Sequence, residues 1–216
     1  MKKTISFTAA IIASLIAGCA SSSSISVLER KEPAKPFSKV LLVYVDEGCD
    51  FTIFDSTSYN ICMRSRFLDP ENQEIRKRVE TQIVQDLAST NTTVLKSSDW
   101  LNTRTNSFED FRRIVESKGV DALLLIDFQT REHSERQSPA LGSYQNGQYV
   151  PGHSISYKTA SAAYQCFLLN PKNPNTPIFK AEIGLNGKAG TGKNGLNRTM
   201  ARQLADVLKA NGYIAH

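Results

Sequence analysis

Apolar residues fall along this chain in three patterns. The first is one run from Ile5 to Ala17, broken only by Ser6, Thr8 and Ser14. The second is a set of short runs rich in Val, Leu and Ile. Lys39-Val-Leu-Leu-Val-Tyr-Val45 and Asp121-Ala-Leu-Leu-Leu-Ile-Asp127 have the length and composition of strands buried on both faces. The third is helical spacing. Ile75, Val79, Ile83, Val84, Leu87 and Ala88 make one stripe, Phe108, Phe111, Ile114 and Val115 a second, and Leu196, Met200, Leu204, Val207 and Leu208 a third.

Punctuation between these runs predicts the element order. Asp69-Pro70-Glu71 opens a helix with a capping Asp, a proline in the first turn and an acid near the positive end of the dipole. Thr92–Lys96 is a short strand. Ser107-Phe-Glu-Asp110 starts the next helix, and Gly119 ends it where a left-handed residue is favoured. A long loop is expected at 46–68. Residues 129–154 are polar, with an Asn146-Gly147 hairpin turn signal. A strand over 155–169, a turn bracketed by Pro171, Pro174 and Pro177, a strand over 178–183, a Gly-rich loop and a last helix complete the chain. The predicted class is α/β (α+β), a mixed five-stranded sheet in the order β-α-β-α-β-β-β-α with helices packed on it. Crossover connections join its first three strands, and an antiparallel meander its last three.

The apolar run at the start is short for a bilayer-spanning helix, which needs about 20 residues. It follows Met1-Lys2-Lys3 and ends at Leu15-Ile-Ala-Gly-Cys19. A basic start, a short apolar stretch and small residues before a cut describe a secretory signal. Ile16-Ala17-Gly18-Cys19 also resembles the bacterial lipobox. That resemblance implies removal of residues 1–18 and acylation of Cys19, with palmitate or similar chains holding the protein to a bilayer. Several chains anchor stably where a single one holds only marginally. Ala20, in place of an acid, implies by the same resemblance the outer membrane, with the domain on its periplasmic face. Residues 19–37, Ser-rich and then charged with Pro33 and Pro36, are expected to be a flexible tether, and residues 38–216 a single domain.

Composition adds exclusions. The formal net charge is +5, and Lys2 and Lys3 of the signal account for two of those charges. The remainder is modest and unclustered, so nucleic acid is not an expected partner. Four cysteines occur. With Cys19 assigned to lipid and an oxidising compartment expected, Cys49 and Cys62 are candidates for a disulfide. Cys166, in an alternating strand beside Tyr164 and Leu168, reads as a buried thiol, with pairing through it as the alternative.

Behind its lipobox this order resembles small envelope lipoproteins related to the amino-terminal domain of TolB and to the curli-secretion channel lipoprotein. The resemblance rests on Val40–Val45, the helix-strand unit ending at Trp100, Gly119–Ile126, the hairpin strands and the last helix, Ala201–Gly212. It implies a non-enzymatic part in envelope assembly. The channel formers of that group insert long amphipathic hairpins. Residues 129–169 are long enough, but Arg131, Glu132, Glu135 and Arg136 are too densely charged for lipid-facing strands.

Motifs suggestive of chemistry are weak. Gly187-Lys-Ala-Gly-Thr-Gly-Lys-Asn194 sits between strand and helix like a phosphate-binding loop, but Asn194 stands where Mg²⁺ needs a hydroxyl. The histidines, His133, His153 and His216, lack zinc spacing, and there is no CxxC. Asp46, Glu47 and Asp50 are too few oxygens for a cation loop. No Gly-x-Ser-x-Gly elbow exists. Catalytic, cofactor and metal residues are therefore not expected. Tyr144, Tyr149 and Tyr157, spaced through the polar hairpin, are candidate partner contacts, because loops carry binding and Tyr gives large contact area at low entropic cost. The sequence points to an accessory module of an envelope assembly that binds a protein partner or its own copies. A peptidoglycan or other polymer binder is the alternative, and a hydrolase comes last.

Overall fold

The computed structural model describes residues 22–33, 35–46, 48–87, 91–101, 107–137, 143–145, 148–150, 156–187 and 193–215. The signal, Cys19 and the core of the Gly-rich loop lie outside these.

Among the described residues there are eight strands: β1 (Ser22–Arg30), β2 (Lys39–Val45), β3 (Thr93–Lys96), β4 (Ala122–Gln137), β5 (Ser143–Gln145), β6 (Gln148–Val150), β7 (Ser156–Asn170) and β8 (Asn173–Gly187). Six form one sheet in the order β1-β8-β7-β4-β2-β3, and β5 and β6 pair as a separate hairpin. β2 runs parallel to β3 and β4, while β4, β7, β8 and β1 are successively antiparallel. The crossovers and the meander thus stand as the sequence predicts, within a mixed α+β sheet.

The sheet has six strands rather than five, because Ser22–Arg30 adds an edge strand where a flexible tether was expected. Its serines resemble a linker, yet its backbone hydrogen-bonds to β8 and Ile25 packs against the core. Gly184 on β8 makes room for it, since a Cβ there would come within 2.9 Å of Ser24 Oγ. The final strand runs over Asn173–Gly187, well beyond 178–183.

The helices are α2 (Pro70–Leu87), α3 (Phe108–Ser117), α4 (Lys193–Ala210) and, before them, a segment missing from the predicted order. That segment, α1, runs Ser56–Tyr59 and Ser65–Leu68 with a π-turn, Asn60–Arg64, between. Asp55 caps it: its carboxylate accepts from the backbone N–H groups of Thr57 and Ser58, and Ser58 Oγ accepts from Asp55 N. Its buried residues, Tyr59, Cys62, Met63 and Phe67, fall at helical spacing, but the stripe spans barely two turns and the exposed apolar residues Ile61 and Leu68 lie off it, which blurs the pattern in the sequence.

Two cores result, one per sheet face. On one, α2 and α4 lay Val79, Ile83, Leu87, Met200, Leu204 and Leu208 on the even-numbered residues of β2, β4 and β7 and the odd-numbered residues of β8. On the other, α1, α3 and the loop before α1 lay Phe51, Phe54, Tyr59, Phe67 and Phe111 on the odd-numbered residues of β2, β4 and β7.

Candidate functional site

The sheet's two ends differ, and its register defines them. Ser22 pairs with Asn186, Asn186 with Ser161, and Ser161 with Glu132. At that level the described part of β1 begins; β8 goes one residue further, Gly187 beside Ala160, and β4 and β7 then continue as a pair through Ser134–Gln137 with Ser156–Thr159. At roughly 3.3 Å per residue this two-stranded ribbon runs on for about 13 Å. The hairpin β5–β6 lies within the connection between its strands. Its register, Tyr144 opposite Tyr149 and Gln145 opposite Gln148, leaves two residues for the turn, as Asn-Gly predicts. Of the three candidate tyrosines, Tyr144 and Tyr149 are thus cross-strand partners, and Tyr157 lies on β7 opposite Arg136.

Below the ribbon, buried polar groups fasten the irregular segments. Asp127 ends the apolar run of β4 and is fully buried. It accepts from the Gln129 side chain and from backbone N–H groups of Gly48 and Cys49. Gln129 also donates to the Cys49 carbonyl at 3.3 Å. Gly48 takes φ +68° to make this turn, a conformation that favours glycine. Burial pushes the Asp127 carboxyl up to about 7, and the neighbouring Asp46 charge adds to this against the Gly48 and Cys49 hydrogen bonds. Cys49 is then joined to Cys62 of α1 by a disulfide with Cα atoms 6.2 Å apart. Cys166 is a free, buried thiol, and burial raises its pKa far beyond a reactive range.

The second buried group is Glu80 on α2. β3 is short, so β2 runs past its end. Glu80 Oε1 accepts from Tyr44 N at 3.1 Å and Ser97 Oγ at 2.5 Å, and Oε2 from Ser98 N at 2.8 Å. The carboxylate thus does for β2 what a longer β3 would have done. Burial still raises its pKa, opposed by the hydrogen bonds and by Arg76. Arg76, one turn earlier, donates to the Leu101 carbonyl and lies 4.3 Å from the centre of the Phe67 ring. Both belong to the architecture. Sequence reading passed them over because charged residues between apolar stripe positions are by default solvated; the missing signal was the shortness of the Thr93–Lys96 strand beside a longer neighbour.

Among the described residues no group of three His, Cys, Asp or Glu side chains could hold a metal ion, and no helix is long and apolar enough to cross a membrane. Lys193 opens α4, while most of the Gly-rich loop before it lies outside the described residues.

No family model and no curated protein matches the sequence. Among solved structures the chain is similar to the PelC dodecamer from Paraburkholderia phytofirmans, at 8% identity and TM-score 0.43 over 88% of this chain and 98% of that one. It is also similar to lipoprotein GNA1162 from Neisseria meningitidis, at 11% identity and TM-score 0.40 over 80% and 99%.

Proposed function

We propose that this chain is a membrane-anchored lipoprotein of the periplasmic face of the outer membrane, and that it serves without catalysis as a structural or accessory module of an envelope assembly. The observation that supports this is how close the anchor residue comes to the sheet. Cys19 precedes Ser22 by three residues, a span of at most about 11 Å of extended chain. A lipid on Cys19 would therefore hold the domain against the bilayer with its strands in a set direction. The β4–β7 ribbon leaves the sheet at that same end and runs about as far beyond it as the anchor span allows, so it would reach the bilayer surface, where neighbouring envelope proteins or a second copy would meet it. A short, directional attachment suits a fixed part better than a long-reach activator.

A photo-cross-linking residue at Tyr144 or Tyr157, in cells, tests the reading. The expected result is an adduct of one defined mass, lost when Cys19→Ser releases the chain from the membrane fraction. Absence of any protein adduct, with the chain retained on purified cell-wall sacculi, would overturn it in favour of polymer binding.

A further inference from the structure

The end of the sheet away from the ribbon carries a groove of about 500 Å³. It lies where β1 gives way to the segment 31–37, beside the β7–β8 turn and the start of β4. Its volume is that of a ligand site, about 300–1,000 Å³. Phe37, Val120 and Ile178 give it an apolar floor, and Lys31, Lys35 and Lys172 are exposed around it. Pro33, Pro36 and Pro171 supply much of the remaining wall. Prolines have little side-chain freedom to lose, so binding would order little of that part of the wall.

The charge balance decides what the groove suits. Two acids line it against three lysines, a formal excess of one positive charge, and both acids are held by neighbours of their own while keeping their charge. Glu32 pairs with Arg30 at 3.6 Å. Asp121 accepts from Ser38 Oγ at 2.6 Å and from the backbone N–H groups of Ser38 and Lys39 at 3.0 Å each. Those bonds, with help from Lys35, hold its carboxyl below the ordinary range. The three lysines take part in no ion pair among the described residues. Nearby, Lys39 Nζ donates to the Lys118 carbonyl, and Lys118 Nζ sits 3.3 Å from the centre of the Trp100 ring. The groove is thus apolar below and cationic around its rim.

We infer that this groove is a docking site for an extended acidic peptide segment of a partner protein, with alternate apolar side chains on the floor and carboxylates against Lys31, Lys35 and Lys172. The inference rests on the proposed anchoring only for direction: β1 spans roughly 30 Å, so the groove would face away from the bilayer. Charge complementarity selects the occupant, and the pairing weakens as salt rises.

The test uses the full lipidated chain in detergent and three labelled hexapeptides of alternating sequence, Glu-Leu, Gln-Leu and Lys-Leu, followed by fluorescence anisotropy. The Glu-Leu peptide is expected to bind at least tenfold tighter than the Gln-Leu peptide, and the Lys-Leu peptide more weakly still. The triple variant Lys31→Gln, Lys35→Gln, Lys172→Gln, altered only at exposed positions, is expected to erase that preference while unfolding at the parent's temperature. Equal binding of the first two peptides, or a preference that survives in the triple variant, overturns the inference. So does lysine-dependent retention on sacculi without peptide preference, which would assign the groove to wall polymer. If peptide binding fails while Tyr144 and Tyr157 still cross-link to a protein, only the groove assignment falls; the converse leaves the groove standing and removes the ribbon reading.

Discussion

The two faces of the sheet are covered by different means. One carries α2 and α4, long helices whose own buried residues are aliphatic, leucines, valines and a methionine, and which pack on a sheet surface that includes Tyr44, Tyr164 and Phe179. Burying such a stripe is enough to hold a helix in place. The other is covered largely by an irregular stretch, 46–68, with the ten-residue α3. There the contacts are aromatic. The Phe54 ring lies 5.6 Å from both Phe108 and Phe111, and the Tyr59 ring 5.4 Å from Phe111. The Cys49–Cys62 bond and the Asp127–Gln129 contacts clamp the chain between them. Where backbone periodicity cannot set the position of a segment, large rings, a covalent staple and a buried carboxyl set it instead.

The largest expected break in that comparison comes from pH. With its carboxyl moved up to about 7, Asp127 in the folded chain keeps a proton that the unfolded chain releases near its ordinary value of about 3.9. Between these values the native state binds more protons, so this group's stabilising contribution is full below about pH 4, falls as pH rises and levels off above about 7. Denaturant unfolding of the parent and of Asp127→Asn across pH 4–8 should give curves whose difference changes by on the order of 4 kcal/mol. Parallel curves would mean that Asp127 is ionised in the fold. Next in size is the staple. Cys49→Ser with Cys62→Ser should cost about 3 kcal/mol, lowering Tm by roughly 6–12 °C. Amide exchange should quicken in α1 and the loop before it while α2 and α4 stay protected; equal loss on both faces would show that the aromatic cover depends on the helical one. The smallest effect is expected at the edge of the aromatic face, where Lys118→Ala removes a cation over the Trp100 ring and should cost about 0.5–1 kcal/mol by urea titration.

That same division explains what could be read from the chain. The helical face was legible because Val79, Ile83 and Leu87, and Met200, Leu204 and Leu208, repeat at one spacing and are buried as that spacing requires. The buried strands were legible as unbroken apolar runs. On the aromatic face Phe51 and Phe54 precede the helix, and the stripe Tyr59, Cys62, Met63 and Phe67 is short and blurred by exposed Ile61 and Leu68, so the segment read as a loop although its rings are buried. β1 was hidden for a different reason: Ser22, Ser23, Ser24 and Ser26 have little apolar surface, and its place is set by the open edge of β8, a partner about 150 residues away. The groove is assembled from the 31–37 segment, the β7–β8 turn and the start of β4, and no local pattern joins those three. The buried roles of Arg76, Glu80 and Asp127 likewise depend on where neighbouring strands end.

The pairing of β1 with β8 also has a mechanical side. A pull applied at Ser22 along the strand axis would act along the ladder and not across it. All the β1–β8 hydrogen bonds would share the load and would have to slide together, whereas a strand peeled from its end gives up its bonds one at a time. Tension at the amino terminus would therefore be passed into the sheet, and the domain would move as one body with whatever holds that end.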